Sequence, residues 1–327
     1  MKTPTAVLAL IVAAACVLLP QIASAQTGRY ALLIEGASGE EQYAKLHRDW
    51  LNRLVTALRD KFQFDAAHVM VLAETPAAGE QAATAANVRA ALGRLATQAK
   101  ASDMLFVMLI GHGSGSGGEA KFNLVGPDLT VNEWNALLKP IPARIAFVDA
   151  TSASAAFLQG LAGPDRIIIT ATNTPAQVYH PVFGDAFIEA LTSAPADLDK
   201  NERISLWEAF VYASRLVQQH YERAGQLSVE HAVLDDNGDG VGRDATGAGN
   251  DGTLSGLTYL DAPVASTSND PAVQALLQRR DQLTMQIDEL RRRRASMPPA
   301  EFDQQFEKLV LDLAAVSRDL RKAGIKH

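Results

Sequence analysis

Three groups of residues in this chain have side chains fit for chemistry. The first centres on His112, which follows the apolar run MLFVMLI and stands among glycines at 111, 113, 115, 117 and 118. Glycines let backbone N–H groups converge on an oxyanion, and an imidazole among them can serve as general acid or base. The plainer alternative is a polar loop whose histidine hydrogen-bonds locally. The second group is DATSAS, Asp149 to Ser154, at the end of the apolar run RIAFVDA. A turn between a buried strand and a helix is a frequent seat for a nucleophile, yet this one holds only Thr151, Ser152 and Ser154. The third group is acidic. Asp197, Asp199, Asn201, Ile204, Ser205 and Glu208 fit positions one, three, five, eight, nine and twelve of an EF-hand calcium loop, with Glu202 where the turn glycine belongs. Asp235, Asn237, Asp239 and Gly240 match the start of a second loop, whose twelfth position, Thr246, carries no carboxylate. Either loop is a Ca2+ site or an ordinary Asp-rich turn; Ca2+ is the one cofactor these residues point to.

Positioning these groups requires a scaffold, and the apolar pattern supplies one. RYALLIEG (Arg29 to Gly36), HVMVLAE (His68 to Glu74), the run from Met104, RIAFVDA (Arg144 to Ala150) and RIIITAT (Arg166 to Thr172) are solid apolar blocks, as expected of strands buried on both faces. Helical spacing lies between them. Tyr43, Leu46, Trp50, Leu51, Leu54 and Leu58 form one stripe, Val88, Ala91, Leu92 and Leu95 another, and a helix is expected from Ala153 to Leu161. This alternation predicts a mainly parallel sheet with helices on both faces and ligands beyond the carboxyl ends of the strands. His112 and Asp149 both fall at such ends, so their loops are expected to face one another. After Ile204 a long helix is expected to turn Trp207, Phe210, Val211, Ser214 and Val217 inward, and Asp235 to Gly256 reads as loop. Past a linker at 263–270, residues 271–327 carry Val273, Leu276, Leu283, Ile287 and Leu290, then Phe302, Phe306, Leu309, Leu313, Val316 and Leu320, at three-four spacing on either side of Pro298 and Pro299. That pattern predicts a coiled-coil-like antiparallel helical hairpin, a surface for self-association.

A strand ending in Gly111, His112 and Gly113, followed on the next long strand by Asp149, Ala150 and a small hydroxyl residue, resembles the caspase/legumain-like cysteine peptidases. The bacterial secreted members of the legumain branch are the most similar, and RYALLIEGASG, ANVRAALGRLA, ISLWEAFVYASRLV and EHAVLDDNGDGVG extend the resemblance over most of the chain. The resemblance implies a caspase-like α/β domain over 26–262, and peptide-bond hydrolysis by a Cys–His dyad with His112 as its histidine. In that family a cysteine stands at the position of Thr151; Ala153 replaces a serine and Ser154 a glycine. A thiol titrates near ~8.5 and becomes a thiolate beside an imidazole, whereas a hydroxyl needs a base in hydrogen-bond reach. The expectation is therefore a pseudo-peptidase that binds peptide or protein ligands. The rival readings are a hydrolase using Thr151 with His112, and an assembly protein acting through its hairpin.

The chain has 327 residues, 47% hydrophobic and 20% charged, with a net charge of −7. That balance supports a sizeable core and gives no overall attraction to nucleic acid or anionic membrane. The N-terminus places Lys2 before an apolar stretch from Ala6 to Leu19 and small residues at 23–25, the pattern of a signal peptide over 1–25. Export to the periplasm or medium follows, with no stable membrane span after removal. The sole cysteine, Cys16, lies in that segment. The chain after residue 25 is then without a thiol, so no disulfide, zinc thiolate or cysteine nucleophile is available to it. The run Arg291 to Arg294 reads as a solvated face near Asp288 and Glu289.

Overall fold

The computed structural model describes residues 28–177, 180–200, 202–247, 249–262, 270–292 and 297–324. The signal-peptide segment with Cys16, Asn201, most of the linker and the side chains of the 288–294 charge run lie outside the described residues.

Seven strands form one sheet: β1 (Arg29–Glu35), β2 (Val69–Ala73), β3 (Gln81–Ala82), β4 (Met104–Ile110), β8 (Arg144–Asp149), β9 (Arg166–Thr170) and β10 (Val233–Asp235). Their spatial order is β10-β9-β8-β4-β1-β2-β3. All neighbours are parallel except β10, which runs antiparallel to β9 with Leu234 opposite Ile169. The apolar strands are buried on both faces as their sequences demand. In β1, Ala31 and Leu33 enter one core and Leu32 and Ile34 the other, the period-two alternation of a pleated strand. One face is covered by α1 (Glu41–Thr56), α5 (Phe183–Thr192) and α6 (Leu206–Arg223), the other by α2 (Ala85–Gln98), α3 (Val131–Leu138) and α4 (Ala155–Leu161). The expected mainly parallel, helix-flanked α/β architecture is therefore the one observed.

Three details differ from the sequence expectations. The edge strand β10 is not among the expected strands and leads into the segment read as loop, sharing only Asp235 with it; three residues are too few to show a period. A second, antiparallel sheet joins β5 (Gly113–Ser114), β6 (Lys121–Phe122) and β7 (Leu129–Thr130), so the glycine-rich segment begins as a strand. Two helical stripes hold in the main and differ at particular positions. In α1, Leu46 is 37% exposed and the inward position is His47. In α6, Leu206, Phe210, Ala213, Val217 and Tyr221 are buried while Trp207, Val211 and Ser214 are only partly so. Trp207 packs at the edge of the core and also lies under the Arg243 guanidinium, 4.6 Å from its ring centroid.

At the C-terminus α8 (Pro271–Arg292) packs on α9 (Pro299–Lys322). Val273 and Leu277 cluster with Leu320, and Arg279 meets Asp312 at 3.9 Å, so the two helices run antiparallel. Among the described residues no helix is long and apolar enough to cross a membrane.

Candidate functional site

Chain order along the sheet reverses between β1 and β4, because β1 continues outward to β2 while β4 continues to β8 on the other side. Such a strand reversal is where open α/β sheets bind ligands, beyond the carboxyl ends of the strands. His112 leaves β4 at this point and Ser38 leaves β1. The His112 Nε2 lies 3.0 Å from the Ser38 carbonyl oxygen and donates to it, and the His112 carbonyl accepts from the Asn123 N–H. Ser38 is itself held, since its hydroxyl donates to Glu74 at 2.6 Å. Beneath the loop, Arg48 bridges the buried Glu35 at 2.6 Å and Glu80 at 2.9 Å. Burial pushes the Glu35 carboxyl up to about 7 against the pull of Arg48.

The loop after β4 and the turn after β8 do meet. Gly113 donates its N–H toward the Ser152 hydroxyl at 3.4 Å, and that hydroxyl donates to the Gly113 carbonyl at 3.3 Å. A β-carbon on Gly113 would stand 2.2 Å from the Ser152 carbonyl, so this approach requires glycine. The turn is tightly determined. Ala153 takes a left-handed conformation at φ 56°, held by its N–H bond to the Gln177 carbonyl. The Ser154 hydroxyl lies 3.0 Å from that of Thr172 and accepts from the Thr172 N–H at 3.1 Å.

Thr151 is fully buried. Its hydroxyl donates to Asp149 Oδ1 at 2.6 Å, and its backbone N–H donates to the same oxygen at 3.0 Å. Asp149 is also fully buried, and burial pushes its carboxyl up to about 7, opposed by those two bonds. The hydroxyl that a hydrolase would need thus serves as a local clamp on Asp149, and the hydrogen bond of His112 runs to Ser38.

Two further histidines converge on His112. His47 of α1 and His180, just before α5, have ring centroids 5.3 Å from that of His112 and 5.1 Å from one another. Tyr43 and Trp50 wall the cluster, the Trp50 ring stacking on His180 at 5.6 Å. His47 is completely buried, and both ring nitrogens of His47 and of His180 are without a hydrogen-bond partner among the described residues. Burial, then the neighbouring His180 and His112, lowers the His47 pKa to about 3; burial and His112 lower that of His180 to about 4. Burial also lowers His112, opposed by Ser38 and by Glu40 and Glu74. His47 and His180 are therefore neutral at pH 7. Each unpartnered buried ring nitrogen costs about 1–3 kcal/mol. Neither His47 nor His180 was among the residues expected from the sequence; the readable signal was that His47 lies four residues after Tyr43 and three before Trp50, on the same helical face.

The acidic loops lie elsewhere. Asp197, Asp199 and Glu208 come together, and Glu202 adopts the left-handed turn, φ 67°, that position six demands. Glu208 Oε1 accepts from the Leu198 and Asp199 N–H groups, and Oε2 from the Ser205 N–H and hydroxyl, a capping box that starts α6. In the second loop Asp235 accepts from Gly238 and Gly240, Asn237 from the Asp239 N–H, and Asp239 from the Val241 N–H. Glu208→Ala should destabilise the chain by about 2 kcal/mol, because four donors at a buried helix start lose their acceptor. Urea unfolding reads this directly, and a loss below about 0.5 kcal/mol, the scale of an ordinary surface change, contradicts it. Melting curves in chelator and in millimolar calcium test the loops as ion sites. A rise abolished by Asp199→Ala assigns the ion to the first loop, and one abolished by Asp239→Ala to the second.

No family model matches the sequence, and a search of characterised proteins finds no relative. Solved structures do match. A crystal structure of a Geobacter sulfurreducens protein is similar at 12% identity and a TM-score of 0.42, over 64% of this chain and 92% of that one. A secreted C11 cysteine protease from Bacteroides thetaiotaomicron, in complex with an irreversible peptide inhibitor, is similar at 12% identity and a TM-score of 0.38, over 64% of this chain and 66% of that one.

Proposed function

We propose that this chain is an exported pseudo-peptidase of the caspase/legumain-like type, which binds a peptide or protein ligand without hydrolysing it. One observation carries the reading: Thr151 is buried with its hydroxyl donated to Asp149, while His112 donates to Ser38. A Thr–His pair working as nucleophile and base needs the hydroxyl within reach of the imidazole, about 2.6–3.2 Å between heavy atoms. Here the Thr151 hydroxyl is donated to Asp149 instead, while His112, whose Nε2–H goes to Ser38, keeps its lone pair on Nδ1. The motif around Gly111, His112 and Gly113 and the lead-in Asp149-Ala150 support a shared ancestry with peptidases, and the place of His112 at the strand reversal supports ligand binding there.

The test is a peptide library incubated with the chain from residue 26, read by mass spectrometry for new ends and by fluorescence anisotropy for binding. The expected result is binding that Gly113→Ala weakens, with no new peptide ends. Cleavage that both Thr151→Ala and His112→Ala abolish makes the chain a hydrolase instead.

A further inference from the structure

The histidine cluster joins elements far apart in sequence: His47 on α1, His112 after β4 and His180 before α5. Each offers one ring nitrogen, and these nitrogens lie within 4.8 Å of one another. Three nitrogens 2.0–2.1 Å from one tetrahedral ion stand about 3.3 Å apart, so ring shifts on the order of 1 Å close the set. From this arrangement and the two unpartnered nitrogens of the fully buried His47, we propose that His47, His112 and His180 bind a zinc-class divalent cation beside the strand reversal between β1 and β4.

Two features of the surroundings fit such an ion. The His112 Nε2–H is donated to the Ser38 carbonyl, which leaves the lone pair on Nδ1. Metal-binding histidines are held in this way, with the second ring nitrogen donating to a carbonyl or carboxylate that fixes the tautomer. His112 and His180 are only partly buried, so the cluster lies near the surface although the ring nitrogens of His47 and His180 are covered. Three imidazoles suit zinc and its late first-row neighbours, which accept nitrogen, more than calcium or magnesium, which require oxygen. They leave a fourth position for water or a ligand oxygen. The site uses two residues outside the peptidase-like motif, and it stands or falls independently of whether the chain binds peptides.

The test uses untagged chain from residue 26, freed of metal by chelator and dialysis. Zn2+ is titrated against a chromophoric chelator, and Co2+ is followed by its visible spectrum. The expected results are one ion per chain at a Kd of about 1 µM or tighter, and Co2+ bands of a low-coordinate ion. His112→Ala and His180→Gln, at the partly exposed rings, should each weaken binding by roughly 100-fold or more, beyond the 10–100-fold typical of losing an outer-shell partner. A readout that needs no variant is the set of histidine ring-nitrogen chemical shifts in the wild-type chain. Zn2+ should move those of His47, His112 and His180 and leave those of His68, His220 and His231 in place. A folded chain that takes up no stoichiometric Zn2+, as water-filled histidines would give, overturns the proposal. So does binding that leaves the shifts of the three rings unmoved.

Discussion

Thr151→Cys is expected to place a thiol that stays masked. The side chain at 151 is fully buried, and its donor atom faces Asp149, whose carboxyl is pushed up to about 7 by burial. Burial and a neighbouring carboxylate both disfavour a thiolate, so the thiol titrates above the ordinary value of about 8.5. Fewer than about 3% of molecules then carry thiolate at pH 7. Burial adds an accessibility penalty, and alkylation by iodoacetamide should run at least about 100-fold slower than for free cysteine, rising to the free rate in denaturant. The chain from residue 26 holds no other cysteine, so the signal is unambiguous. Rapid labelling at pH 7 that His112→Ala abolishes means the opposite: the Cys–His geometry is intact and only the nucleophile has been lost.

Arg48→Ala should be the most damaging single change near the strand reversal. Arg48 is the cation beside Glu35, which is 3% exposed, and it also holds Glu80. Without it a carboxylate is left in the interior close to Glu80 and Glu74, and breaking such a pair costs about 3–5 kcal/mol. The pH dependence follows from the raised pKa of Glu35, from the usual 4.5 to about 7. A raised carboxyl binds its proton more tightly folded than unfolded, so its contribution is fully present below about pH 4.5 and is lost as pH rises through 7. Removing Arg48 takes away the main influence opposing that rise. The deficit of the variant relative to wild type should therefore be largest at pH 8 and shrink toward pH 5, where Glu35 is neutral in both. Urea unfolding of the two chains at those pH values measures this; the opposing titrations of His47 and His180 largely cancel in the comparison. A deficit independent of pH means that Arg48 acts through its packing alone. Since Glu74 holds Ser38 and Ser38 holds His112, the same variant should also loosen the His112 loop.

Sequence by itself determined the scaffold. Solid apolar blocks such as RIIIT and MLFVMLI have one stable setting, a parallel sheet covered on both faces, because each side chain in them must leave water. Their carboxyl ends then placed the loop of His112, after β4, and Asp149, at the end of β8, at the same edge of neighbouring strands. The confinement of cysteine to residue 16 was equally legible, and with it the exclusion of thiol chemistry from the rest of the chain. What Thr151 does was not legible. Spacing brings a hydroxyl to the turn, but whether it points at an imidazole or at Asp149 depends on rotamers and on a left-handed Ala153, held by a carbonyl from another loop. The histidine cluster was hidden for a related reason. Helical spacing admitted either Leu46 or His47 on the inner face of α1, a difference of one position, or 100° around the axis. The packing of α5 against α1, with His180 stacked on the Trp50 of α1, decided it by turning His47 to the interior, where His112 and His180 arrive from segments 65 and 133 residues further along the chain. Contacts between residues so distant leave no periodic trace in a sequence, so only the tertiary structure brings the three rings together.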